Sequence, residues 1–403
     1  MDRRFVYGAQ VAVFLVSVPG FAAQRTFVAS TGNDGQPCSL TLPCRSFQAA
    51  ITAVDAGGEV IALDSAGYGP FTVGKSVSVI APPGVYAGIT PGAGQDGIYI
   101  YSPVVVKLSG LTVNGIGSLV GIRVGGGAEV VIERCTIERH QVGISISGSG
   151  RTTLHDTAIR WNTNDGIGAG AQFAAENLRV EYNGGYGIRM EGGASGRLAD
   201  SSVTGNTLGG IGVLLFSDLT VTNSNIDLNR GPGILVAAAS SVAVDHSSVS
   251  GNTATGISVV AFSPASSVTV ADSLIAATAD GVGIQVGTVF GGSGGAQVQV
   301  TRSTVTSNPL GGIKVYSNGP AYATAAVSGS QVTQNGTGLS AEGTVVGGVT
   351  RLVATGNVIT HNTSFGLSQL GYGVLATRGD NTVTDNNGGG PQVEGALTAV
   401  GGT

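Results

Sequence analysis

The sequence predicts an all-β chain: a right-handed parallel β-helix (three-sided solenoid) with a short N-terminal capping helix. Three observations carry that prediction. First, a glycine followed by Ile or Leu recurs at Gly143, Gly166, Gly187, Gly210, Gly233, Gly256, Gly283, Gly312, Gly338 and Gly366, spaced 21 to 29 residues apart, and periods in the twenties mean a solenoid. Second, Val and Ile alternate with Ser, Thr and Gly while Leu is sparse. Alternation with period two makes strands, whereas a leucine-rich repeat needs a Leu ladder and a helical return. Third, each repeat holds three such stretches, as in Leu219 with Val221, Ser224 with Ile226, and Ile234 with Val236. These fit the three sides of one coil.

The elements follow in order along 403 residues with no linker or change of composition between them. One elongated domain is therefore expected, with residues 1–22 a signal peptide, 23–75 an N-terminal cap and first coil, and 76–403 the β-helix repeats. The opening Asp2-Arg3-Arg4, the apolar run Val11–Val18 and the close on Gly20-Phe21-Ala22 have the charge, core and small-x-small site of a secretory signal, and are too short to cross a bilayer. Export makes Cys38 and Cys44 an expected disulfide. Next, Ser46 reads as an N-cap, with Phe47, Ala50, Ile51 and Val54 on one helical face before Gly57-Gly58, so this helix would cover the open end of the core. The C-terminal end after Asn387 has no comparable helix.

Within the repeats, columns are more informative than the period. An Asn column runs Asn162, Asn183, Asn206, Asn229, Asn252, Asn308, Asn335, Asn362 and Asn386, with His140 and Thr278 as exceptions. Asn tolerates positive φ and satisfies backbone groups at sharp turns, so stacked copies are expected to bond from coil to coil. Three residues before it every position is β-branched, from Ile137 to Val383, and two earlier stands a small inward residue, mostly Ser, which places Cys135 in the core as a structural thiol.

The Asn ladder, the inward Ser and Val stacks and the Gly-Ile-x-Val strand resemble the right-handed parallel β-helix of the pectin lyase-like superfamily. The opening Thr26–Ser30, with Gly32, Asp34 and the Cys38–Cys44 segment leading into Ser46–Ile51, is similar to that of many secreted bacterial members. The resemblance covers nearly all of the chain after the signal, and it implies the fold rather than one activity. It implies export, to the medium, the periplasm or the cell surface. Hydrolases and lyases of the superfamily carry clustered Asp residues, with or without calcium, and an Arg or Lys base on one parallel sheet. Here the position inside Gly-Ile-x-Val (Arg123, Ser145, Gly168, Arg189, Gly212 and onwards) contains no acid.

Composition excludes some functions. A charge of -5 with 19 scattered Lys and Arg gives no basic stripe, so no nucleic-acid partner is expected. No later segment suits stable membrane insertion. Residues 130–200 hold 15 of the 43 charged residues, and any site is expected there. Glu138 and Arg139, Arg160 and Trp161, and Glu181 and Tyr182 flank the Asn column on three successive coils. Aromatic faces beside carboxylates and arginines suit sugars, so these six residues are the candidate ligand-binding set and polysaccharide the expected partner. Neither metal nor cofactor is expected. Two functions stand side by side: non-catalytic polysaccharide recognition or a structural, adhesive role, and, alternatively, a polysaccharide lyase or glycoside hydrolase. In the second, Glu138, Asp156, Asp165, Glu181 and Asp200 would supply paired carboxylates from different coils, with His155 or Arg160 as acid, base or charge stabiliser. The adjacent pairs His155-Asp156 and Asp245-His246 are expected to face apart on extended strands. Neither enzyme status nor oligomeric state is legible from these residues.

Overall fold

A computed structural model describes residues 23–261, 264–288, 294–319, 322–344 and 348–400; the expected signal peptide lies outside them. The alternating stretches become three parallel sheets of 16, 14 and 14 strands, each strand bonded to its equivalents one coil before and after. We name them in the order one coil visits them. In one coil, sheet one supplies Asp218–Thr222, sheet two Asn225–Asp227 and sheet three Ile234–Ala237. The solenoid expected from the repeat period is thus present, with stacking of about 4.8 Å per coil.

Period-two alternation decides which residues enter the core. The β-branched column is in register throughout, Ile137 with Ile159, Val203 with Ile226, Ile359 with Val383, and nearly all of it is fully buried. Outward neighbours such as Glu138, Arg160 and Glu181 stand in a register column of their own. The predicted outward line of sheet three, Arg123, Ser145, Gly168, Arg189 and Gly212, is likewise in register.

Corners require backbone that only certain residues adopt. Between sheets one and two a single left-handed residue turns the chain on coil after coil: Arg134, Asp156, Asn177, Asp200, Asn223, His246, Asp272 and Arg302 all have φ between 46° and 53°. Beyond it, the small polar column forms a ladder in which Ser224 N donates to Ser247 Oγ (3.1 Å) and Ser247 Oγ donates to Asp245 O (2.8 Å). Two asparagines, Asn357 and Asn381, extend this ladder at its end.

Between sheets two and three the Asn column bonds from coil to coil as expected, but the positive φ falls on the residue before it, as at Trp161, Tyr182 and Leu228, and not on the Asn itself. The buried side chains bond from one coil to the next, as Asn206 Nδ2 to Asn229 Oδ1 (3.0 Å) and Asn229 Nδ2 to Asn252 Oδ1 (2.9 Å), with a break at Thr278, where Asn252 Nδ2 donates back to Ile226 O and Thr278 N donates to Asn308 Oδ1. The glycine beside it is fixed by close approach: a Cβ on Gly210 would lie 2.9 Å from Asn229 Nδ2 and 2.5 Å from Gly233 O. The ends are closed differently. Helix α1 (Phe47–Ala53) is capped by Ser46 and buries Phe47, Ala50 and Ile51, and Cys38 is bonded to Cys44. At the far end Gln392 Oε1 accepts from Asn386 N and Nδ2, each at 2.9 Å, and terminates the Asn ladder.

Candidate carbohydrate-binding surface

The six predicted residues fall on the outer edge of sheet two and the turn that follows it. Glu138, Arg160 and Glu181 are register partners on three coils, while Arg139, Trp161 and Tyr182 occupy the left-handed turn position, with φ of 63°, 56° and 54°. Four of them interlock. Glu138 is 7% exposed; its Oε1 accepts from Arg139 Nη1 (2.8 Å) and its Oε2 from Arg160 Nε (3.0 Å). Both guanidiniums also lie over the Trp161 ring, at 5.0 and 4.2 Å from its centroid. One buried carboxylate therefore fixes two cations, and these fix the indole.

Glu181 and Tyr182 are set apart from that cluster. Glu181 has no ion-pair partner among the described residues, and Tyr182 is 59% exposed. The tyrosine ring lies across the backbone of the next coil, where a Cβ on Gly205 would be 2.6 Å from Tyr182 Cδ1. The missing side chain at Gly205 thus lets the ring lie along the surface with its outer face to solvent.

The structure does not bring paired carboxylates together. Glu138 and Glu181 are separated by Arg160 in their column, and Asp156 and Asp200 by Asn177 in theirs. Asp165 stands elsewhere, beside sheet three: its Oδ1 accepts from Tyr186 N (2.8 Å), and Arg189 Nη1 approaches Oδ2 at 3.9 Å. Burial pushes its carboxyl above the usual carboxylate range. His155 Nδ1 lies 3.4 Å from Glu176 Oε2.

The expectation that Asp245 and His246 face apart is corrected. Because His246 is the left-handed turn residue (φ 46°), its ring swings back, and Nδ1 lies 3.0 Å from Asp245 Oδ2. Asp272 joins them, with ligand atoms of all three within 4.8 Å. This is the one group of three metal-ligand side chains among the described residues. Arg302 already holds both oxygens of Asp272, at 2.9 and 2.6 Å, so the cluster is paired as a charge network.

A further feature escaped the sequence. Shallow grooves follow the outer face of sheet one, lined by Ser195, Asp218, Thr220, Ser241, Ser267 and Thr269 and then by Gln297, Gln299, Thr324 and Arg351. The signal was available as the outward positions of sheet one, but hydroxyls and amides spread over repeats of unequal length form no motif.

The model of the right-handed β-helix region matches residues 91–214 and 169–332. The chain belongs to the right-handed β-helix family. No curated protein sequence matches it. Among solved structures it is similar to a pectate lyase, at 16% identity over 94% of this chain and 83% of that one (TM-score 0.42). It is also similar to a periplasmic alginate epimerase, at 12% identity over 86% and 78% (TM-score 0.48). A third is the catalytic unit of an α-1,3-glucanase from Streptomyces thermodiastaticus, at 16% identity over 88% and 66% (TM-score 0.49). No residue role follows from likeness at this level.

Proposed function

We propose that this β-helix is an exported protein that recognises polysaccharide without cleaving it, through Glu138, Arg139, Arg160, Trp161, Glu181 and Tyr182. The observation that carries the proposal is the Tyr182 ring laid over Gly205 beside an indole clasped by two arginines. A sugar ring offers an apolar C–H face and a rim of hydroxyls, so a preset aromatic face with adjoining charged donors and acceptors suits it. Sheet one adds a lengthwise row of hydroxyls and amides with few charges. Export is supported by the Cys38–Cys44 bond, since disulfides persist in oxidising compartments.

The test is retention on immobilised polysaccharide. Replacing Trp161 and Tyr182 together by Ala removes retention while the β-rich circular dichroism stays unchanged; equal retention of the double variant refutes the proposal. A catalytic reading has one specific support, the buried Asp165 carboxyl next to Arg189. It requires release of reducing or unsaturated ends that Asp165→Asn abolishes.

A further inference from the structure

The turn after sheet two carries more than one preset apolar tile, and two of them stand two coils apart. Successive coils place Tyr182, Gly205, Leu228 and Gly251 at the same left-handed position, with φ of 54°, 67°, 53° and 62°. Backbone bonds stack them, Tyr182 N donating to Thr204 O and Leu228 N to Ser250 O. The large side chains lean the same way. Tyr182 covers Gly205, and Leu228 covers Gly251, where a Cβ would be 2.9 Å from Leu228 Cδ2. Both remain outward, Tyr182 59% and Leu228 64% exposed. Each tile therefore spans two coils, and the repeat along the solenoid axis is about 10 Å.

Beside the tiles runs a polar column in register, Glu181 with Thr204 and Asp227 with Ser250. At the N-terminal end the Trp161 ring, held under Arg139 and Arg160, closes the row; beyond Gly251 the column continues with Ala277 and Ser307, which offer no broad face. The surface is thus a short strip of two apolar faces two coils apart, with hydroxyl and carboxylate side chains in the neighbouring column.

A ligand matched to such a strip must show an equivalent apolar face once every two coils and keep its hydroxyls at the edge. An extended chain of β-(1→4)-linked, diequatorial sugars does this, because its two-fold twist turns alternate rings over and its disaccharide repeat is of the same length. An α-(1→4)-linked glucan of the same sugars coils and does not. We infer that a β-(1→4)-linked glycan lies along the solenoid axis on this strip, with one ring stacked on Tyr182 and the ring two residues further on Leu228. The inference rests on the proposed recognition role and adds to it the path, the linkage class and Leu228 as a second contact.

Calorimetric titration of the exported full chain with cellohexaose, a mannuronan hexasaccharide and maltohexaose tests it, with cellobiose as the short probe. Binding of either β-linked hexasaccharide but not of maltohexaose is expected. Leu228→Ala lowers hexasaccharide affinity about tenfold and leaves the weaker cellobiose binding unchanged, whereas Tyr182→Ala removes both. Gly205→Ala, which displaces the Tyr182 ring without removing it, weakens both. If Leu228→Ala binds the hexasaccharide like the unaltered protein, or maltohexaose binds equally, the axial path is overturned while recognition at Tyr182 stands. If no oligosaccharide binds, or Tyr182→Ala changes nothing, both fall.

Discussion

Asn229→Ala removes the centre of the Asn ladder, and its cost can be worked from the bonds present. Asn229 Oδ1 accepts from Asn206 N (2.9 Å) and Asn206 Nδ2 (3.0 Å), while its Nδ2 donates to Val203 O (3.1 Å) and Asn252 Oδ1 (2.9 Å). The residue is fully buried. Four bonds at about 1 kcal/mol each give a loss of about 4 kcal/mol, because alanine leaves their partners without replacements. Asn229→Asp keeps the accepting oxygen but sets a second oxygen against Val203 O and Asn252 Oδ1, so it is at least as damaging at neutral pH and is eased by acid. Urea unfolding followed by circular dichroism measures the loss as a lowered midpoint at unchanged slope. A destabilisation by Ala below about 1 kcal/mol refutes the view that side-chain bonds between coils hold this corner.

Other expectations follow from the same structure. His140 takes an Asn position in the ladder, its Nδ1 2.6 Å from Ser118 Oγ and its Nε2 3.1 Å from Val113 O. Burial holds its pKa below the ordinary 6.5. The unfolded chain then binds the proton more readily, so stability is full above pH 6.5 and falls as pH drops from there toward the folded pKa. His140→Asn flattens that slope in urea midpoints taken from neutral to acid pH. Glu138→Gln loosens both arginines from Trp161, which is seen as red-shifted tryptophan emission, Trp161 being the chain's single tryptophan; an unchanged spectrum counts against the clasp. Replacing Cys38 and Cys44 by Ser, which opens a loop with a sequence separation of 6, costs about 2 kcal/mol by chain entropy, read as a lower urea midpoint that reductant no longer shifts.

Much of the architecture is written in residue types that have few alternatives. A β-branched residue three places before Asn, and a glycine that cannot carry a Cβ against the next Asn amide, recur on almost every coil, so register could be counted from sequence. The functional surface was less legible for two physical reasons. Turn residues with positive φ do not obey strand alternation, so the contact of Asp245 with His246 and the outward face of Leu228 leave no mark in the period-two pattern. The faces of Trp161 depend on where two long arginine side chains settle, and that is set by Glu138 one coil away rather than by any local pattern. His140 is legible as an exception in the Asn column, but its bonds to Ser118 and Val113 run to two separate points of the preceding coil, which no local pattern marks.

The role proposed for this surface is recognition of polysaccharide without turnover. Its most direct test incubates the purified protein with a panel of neutral and acidic polysaccharides and records binding together with release of reducing or unsaturated ends. Binding that depends on Trp161 and Tyr182, with no product, is expected; release of ends, or no binding to any member of the panel, refutes this role.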